Sequence, residues 1–233
     1  MADDPLQRVT RLTFDIFGTV LDLTGTIVPA LAEYLTQKNV SLDPAEIWKQ
    51  WRARQRIEQH QDTILMLGHS GYLEVARRGL AYTLRHNGVA FEEQETHEMI
   101  KVFERLEPFE DAKLGLARLA ERYKLVALSN GNQHLLDPLV NKIGVPFEAR
   151  LSVERWGRFK PHPSVYRGAA SVLGFDPGET MMVAAHSFDV HGAMVCGYRG
   201  AFVNRYRLPY EDTALRPDHE VNDFLELCER LGV

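Results

Sequence analysis

Cysteine is scarce: 233 residues hold two, Cys196 and Cys228. They lack metal-ligand spacing and are too few for a disulfide scaffold, so one oxidised pair stays open and a reducing compartment is the better expectation. Positive charge is not in excess either, with 27 Lys and Arg against 32 Asp and Glu and a net charge of -5. Nucleic acid and anionic membranes both demand a concentrated basic face, which argues against either as a partner. No run approaches the roughly 20 apolar residues of a membrane span. The opening "MADDPLQRVT" is acidic and poor in apolar residues, unlike a signal peptide, and a cytoplasmic protein is expected. Internal repeats, low-complexity tracts and long flexible linkers are missing too.

What is present suffices for a proper core, since 45% of residues are apolar. Four short apolar runs, "RLTFDIF", "KLVALSN", "EARLSV" and "TMMVAAH", read as buried parallel strands, with "GAFVN" a fifth. Amphipathic helical patterns separate them: "DAKLGLARLAERY", "NQHLLDPLVNKIG", "SVYRGAASVLG" and "DVHGAMVCG". Such alternation predicts an α/β fold, a doubly wound, Rossmann-like parallel sheet with helices on both faces. Between residues 23 and 108 the pattern is helical only, through "IVPALAEYLTQKN", "PAEIWKQWRARQRIEQHQ", "YLEVARRGLAYTLRHNG" and "ETHEMIKVFERL". The simplest organisation is an all-α cap (23–108) inserted into an α/β core built from 1–22 and 109–233. From Tyr206 onward the chain reads as a loop and a closing helix, with no chemistry to name.

Asp15 interrupts the first apolar run, and a bare charge in a core costs several kcal/mol unless it is paired. Ligands of parallel α/β sheets sit beyond the carboxyl ends of the strands. The polar residues to inspect are therefore Asp15, Thr19, Ser129, Asn130, Lys160 and the "HSFD" of His186 to Asp189. Each has a plain structural reading. Gly18-Thr19 alone is a turn and cap, Ser129-Asn130-Gly131 an ordinary strand-to-helix turn, and Lys160-Pro161 a solvated loop. Arg52 lies in "RARQR", a charge run that usually marks a wet helix face. The remaining histidines are scattered, and nothing groups them as metal ligands. Their order along the chain is what raises these residues above the plain readings.

Taken in that order, the pieces resemble the haloacid dehalogenase superfamily over nearly the whole chain. "FDIFGTVLD" is similar to its first motif, which carries an aspartate nucleophile; "LSNGN" resembles the second, "KPHPSVY" the third and "VAAHSFDVHGA" the fourth. Most of that superfamily are Mg²⁺-dependent phosphatases, with a second aspartate two positions after the nucleophile. Here that position is Phe17, and a phenyl ring cannot move a proton. The fourth motif offers one acid, Asp189, which leaves a Mg²⁺ site short of oxygen ligands. Within the superfamily the resemblance is therefore to the L-2-haloacid dehalogenases, which use no cofactor and no metal.

The resemblance implies hydrolysis of short (S)-2-haloacids to (R)-2-hydroxy acids through an aspartyl ester. Asp15 is the implied nucleophile and Lys160 the cation that keeps it ionised. Asp189 orients the lysine and the hydrolytic water, and Thr19 hydrogen-bonds the nucleophile. Ser129 with the N–H groups of Ile16 and Phe17 is expected to hold the substrate carboxylate. Arg52 and Asn130 are expected to stabilise the departing halide. Tyr166 borders the lysine, while Phe17, Tyr72 and Phe188 are candidate apolar walls. One departure stands out: where those enzymes read Ser-Ser-Asn, this chain has Ala184, Ala185 and His186. His186 is expected to contact Lys160 or the water and to add a pH dependence, an idea that fails if His186→Asn leaves the pH–rate profile unchanged. The implied partners are a small 2-haloalkanoate and halide, with a homodimer as the family's common assembly. Two other readings remain open, a Mg²⁺-dependent phosphatase of small esters and a non-catalytic binding protein on the same fold.

Overall fold

Four residues, Arg11–Phe14, make the central strand β1, and their three buried side chains follow from neighbours on either side. In this computed structural model, which describes residues 5–233, β1 pairs in parallel with β2 (Lys124–Ser129) and with β4 (Thr180–Ala184). Outward from these lie β3 (Ala149–Ser152), β5 (Arg199–Val203) and β6 (His219–Val221), giving the order β3-β2-β1-β4-β5-β6, every pair parallel. β4, "TMMVA", is buried at all five positions. A parallel strand covered on both faces tolerates a continuous apolar run, so alternation is absent. The helices of this unit are α5 (Glu110–Leu119), α6 (Gln133–Ile143), α7 (Pro163–Leu173), α8 (Ser187–Val195) and α9 (Phe224–Leu231). Phe14 reaches from β1 to stack on Phe224 of α9, with ring centroids 5.8 Å apart.

The chain divides into two units, one running to Leu21 and resuming at Pro108, the other spanning Asp22–Glu107. The second unit is helical: α1 (Leu23–Gln37), α2 (Pro44–Ile64), α3 (Tyr72–His86) and α4 (Glu93–Ile100), then a short 3-10 turn at Lys101–Arg105. Asp22 caps α1 by accepting from the Gly25 N–H, and Asp43 caps α2 just before Pro44. Trp51 anchors the unit. It is fully buried, lies edge-on to Trp48 and Phe103, and donates its indole N–H to the Ala76 carbonyl at 2.6 Å. Further along α2, Glu58 and Asp62 are buried against Arg54 and Arg78, so this helix carries paired charges inside the unit.

Three local differences separate this architecture from the sequence reading. "HEV" at 219–221 forms a sixth strand where a loop was expected, because three residues carry too little periodicity to register. "ETHEMIKVFERL" is α4 followed by a 3-10 turn rather than one helix. Lys160 belongs to the loop after β3, eight residues beyond the last strand residue, Ser152, rather than to a strand end.

Candidate active site

The chain leaves β1 for β2 on one side and later returns to β4 on the other, which makes the carboxyl ends of β1 and β4 the switch point of the sheet. A crevice opens at such a point because successive connections depart in opposite directions. Asp15 is the residue after β1, and its N–H donates to Val183 of β4 at 3.0 Å. The chain then turns sharply: the Ile16 carbonyl accepts from the N–H groups of Val20 and Leu21, and Gly18 sits at φ 85°, where a side chain would be strained. That turn brings the Thr19 hydroxyl back to donate to Asp15 Oδ2 at 2.7 Å. The same hydroxyl accepts the Ala185 N–H at 2.9 Å and so ties the β1 loop to the β4 loop.

Lys160 completes the cluster and is almost fully buried. Its ammonium donates to Asp15 Oδ1 at 3.0 Å, Asp189 Oδ2 at 2.5 Å and the Leu128 carbonyl at 2.7 Å. Three donors meet three acceptors, so the head group has one orientation. Asp189, in the first turn of α8, takes a second bond at Oδ1 from the Tyr166 hydroxyl at 2.6 Å. The Lys160 backbone N–H donates to Asn130 Oδ1 at 2.8 Å, and Ser129 Oγ accepts the Gly131 N–H at 3.0 Å. Asn130 and Ser129 thus hold the loops that carry the cluster.

Burial pushes the Asp15 carboxyl up, but the Lys160 charge, His186 and the Thr19 hydrogen bond outweigh it and leave Asp15 below the usual aspartate range. Lys160 is depressed by burial and raised more by its two carboxylates. Asp189 ends up at about 6: burial raises it, Lys160 pulls it down, and the neighbouring Asp15 charge raises it again. Tyr166 is held well above the usual phenol range by burial and by Asp189. The result is an ionised acid beside a locked ammonium, with a second acid that cannot fully share it. A carboxylate so held can attack carbon or phosphorus, and it needs no further base to be charged.

Around the cluster sit the other expected residues of this unit. The Phe17 ring lies on Gly131, where an added Cβ would meet Cε2 at 2.3 Å, so residue 131 has no room for a side chain. Ile16 is buried, and Phe188 lies near-parallel to His186 at 5.5 Å. His186, expected at Lys160 or the water, places its Nε2 3.2 Å from the Phe17 carbonyl and 3.9 Å from Asp15 Oδ2. Arg52 and Tyr72 belong to the other unit. There Arg52 Nη1 donates to Gln55 Oε1 at 3.0 Å, and Tyr72 lies edge-on to Phe103 at 5.6 Å.

Two residues of the site escaped the sequence reading. Tyr206, in the loop after β5, lies near-parallel to His186 and donates its hydroxyl to the Gly18 carbonyl at 2.7 Å. Arg205 donates Nε to the Thr19 carbonyl at 2.8 Å while its fork grips Asp111. His186, Tyr206 and Arg205 therefore hold the three consecutive carbonyls of residues 17, 18 and 19. No spacing pattern marks such a clamp, because it joins two loops distant in sequence.

The donor set for a divalent cation is thin. Among the described residues no three His, Cys, Asp or Glu side chains gather as ligands, and both nearby carboxylates are directed at the Lys160 ammonium. With Asp15 and Asp189 paired to that ammonium and the Phe17 carbonyl 3.2 Å from His186 Nε2, the oxygens that a Mg²⁺ would draw on here are already engaged, and the arrangement fits an ammonium better than a divalent ion. Nor is any helix among the described residues long and apolar enough to cross a membrane.

Comparison with known proteins places the sequence. Residues 11–190 match the family model of haloacid dehalogenase-like hydrolases. The chain is similar to an (S)-2-haloacid dehalogenase of Xanthobacter autotrophicus, 34% identical over 205 residues, which cover 84% of this chain and 76% of that protein. Among solved structures it resembles a defluorinating L-2-haloacid dehalogenase, with TM-score 0.84, 29% identity, and coverage of 97% and 96% of the two chains. It also resembles the Xanthobacter autotrophicus L-2-haloacid dehalogenase with chloropropionic acid covalently bound, at TM-score 0.80 and 29% identity, covering 95% and 98%.

Proposed function

Because the chain belongs to the haloacid dehalogenase-like hydrolases, we propose that it hydrolyses short (S)-2-haloacids to (R)-2-hydroxy acids through an ester on Asp15. The observation that carries this reading is Lys160 locked between Asp15 and Asp189, with an aromatic residue, Phe17, where a proton-shuttling acid would serve phosphate chemistry. The (S)-2-haloacid dehalogenase relatives and the neighbour with covalently bound chloropropionic acid support it.

In the first step Asp15 attacks C2 opposite the carbon–halogen bond; a C–O bond forms, the carbon–halogen bond breaks, and halide leaves with its electron pair. A tethered, dehydrated carboxylate has high effective molarity, which favours this displacement. In the second step water adds to the Asp15 carbonyl carbon and the acyl C–O bond breaks. The Asp15 oxygen departs with the product, and a water oxygen replaces it. Asp189 orients and deprotonates that water, with Lys160 holding the charge of the adduct. Ser129 and the N–H groups of Ile16 and Phe17 are assigned to the substrate carboxylate, and Asn130 to the halide. Arg52, as a cation for the halide, and Tyr72, as an apolar wall, keep the roles that the family resemblance implies. The setting we assign is the cytoplasm, and the assembly a homodimer.

Halide release from fluoro-, chloro- and bromoacetate and from both enantiomers of 2-chloropropionate, with and without a chelator, tests the reading. Release from the (S) enantiomer, unchanged by chelator and lost in Asp15→Asn, is expected. Phosphate-ester hydrolysis that vanishes with chelator would instead make the protein a phosphatase.

A further inference from the structure

The buried charges around Asp15 do not balance. Asp15 and Asp189 face one ammonium, and both Asp189 oxygens are already accepting, from Lys160 and from Tyr166. A haloacid arrives with a carboxylate of its own, so on the function proposed above the site must take in another negative charge. Uncompensated buried charge is costly, so above the Asp189 titration a further cation in the α/β unit, besides the Arg52 assigned to the halide, would offset the incoming carboxylate.

His186 stands where that cation is needed. Its ring is near-parallel to two aromatic rings, Phe188 at 5.5 Å and Tyr206 at 6.2 Å, each inclined by 14°. Aromatic faces favour a cation over a neutral ring. A carbonyl only accepts, so the 3.2 Å contact with Phe17 O requires the hydrogen on Nε2 in either protonation state. Charge is then gained or lost at Nδ1, and the backbone contact survives both.

Charged and titratable groups reach the ring from several elements. Asp15, after β1, lies 3.9 Å from Nε2 and favours the imidazolium. Lys160 opposes it from behind Asp15, and Asp189 favours it from beyond Lys160. On the loop after β5 Tyr206 offers a neutral phenol, while Arg205 is engaged with Asp111. Next along the chain, Ser187 donates to Glu211 at 2.8 Å.

We propose that His186 is a positioning residue that carries a second positive charge beside Lys160 within the α/β unit, offsetting Asp15 while an anionic substrate binds and fixing the Phe17 carbonyl throughout. Substrate capture should therefore weaken as pH rises through the imidazole titration, with the change in KM rather than kcat. Asp15 should contribute most to where that titration falls, with Tyr206 adding to it.

The experiment is the pH dependence of kcat and KM for chloroacetate in the wild type, His186→Asn, Tyr206→Leu and Tyr206→Phe. For the wild type, kcat/KM should fall about tenfold in total as pH rises through the imidazole titration and then level at the value of the uncharged ring. His186→Asn should lose that limb, with KM raised about tenfold at low pH. Tyr206→Leu should shift the limb to lower pH and Tyr206→Phe should leave it in place. NMR titration of the labelled His186 ring in the wild-type protein reads the charge without turnover and without any variant having to fold. Superimposable profiles for the wild type and His186→Asn, or a ring that stays neutral down to about pH 5, overturn the proposal. If the wild type releases no halide, the proposed reaction falls, and the NMR titration still decides whether the ring is charged.

Discussion

At the scale of single residues, the site is an electrostatic problem solved with few groups. Lys160 stabilises Asp15 as an anion, yet it serves Asp189 as well, and the value near 6 for Asp189 records that shortage. The unfolded chain releases the Asp189 proton near the ordinary aspartate value of about 3.9, whereas the folded protein holds it to about 6. Between those pH values the folded state binds more protons, so stability falls as pH rises, by up to about 3 kcal/mol, and then levels. Asp189→Asn should remove this fall. Urea unfolding at pH 4, 5, 6 and 7 checks it: wild type and variant should diverge across that window and run parallel above it. A second prediction concerns Gly131. Ala there would meet the Phe17 ring at 2.3 Å, and overpacking of this kind costs about 1–3 kcal/mol. Because Phe17 adjoins the nucleophile, kcat/KM for chloroacetate in Gly131→Ala should fall by more than the loss of folded protein, measured from Tm, accounts for.

At the scale of elements, the turn after β1 is shaped from outside. Its carbonyls at 17, 18 and 19 are each held by a side chain from another loop. Arg205 also grips Asp111 with both arms and lies 4.2 Å over the Phe109 ring, so it joins α5 to the nucleophile turn. Asp111 keeps some solvent contact, with its side chain 19% exposed. Arg205→Ala should therefore cost about 2 kcal/mol, below the 3–5 of a fully buried pair. Guanidinium unfolding measures that loss, and an unchanged midpoint would remove Arg205 as a structural tie. This scale also shows what was legible beforehand. Asp15 stood out because a charge in an apolar run contradicts its surroundings, and Lys160 and Asp189 became meaningful by their order after it. β6 was illegible because three residues carry no period. Tyr206 was illegible because its partner His186 is twenty positions away, and stacking between loops leaves no pattern in the sequence. The contact of His186 with the Phe17 carbonyl was illegible for the same reason: the direction of a side chain is set by the loop packed against it.

At the scale of the whole molecule, the sheet order places β1 beside β4 at the switch point, and the residues with chemistry collect there because loops from both sides converge. The α/β alternation was readable from the apolar runs, since parallel strands are buried on both faces. An acidic protein, net -5, must bind a small anion by local cations rather than by its overall field. Lys160 and the charge proposed for His186 are the local answer in the α/β unit. The central claim is that Asp15 forms and then loses an ester. Its most direct test is a single turnover in ¹⁸O water with enzyme in excess over chloroacetate, followed by mass spectrometry of the Asp15 peptide and of glycolate. The account predicts ¹⁸O in the Asp15 carboxylate and unlabelled glycolate; label in glycolate with an unlabelled Asp15 would contradict it.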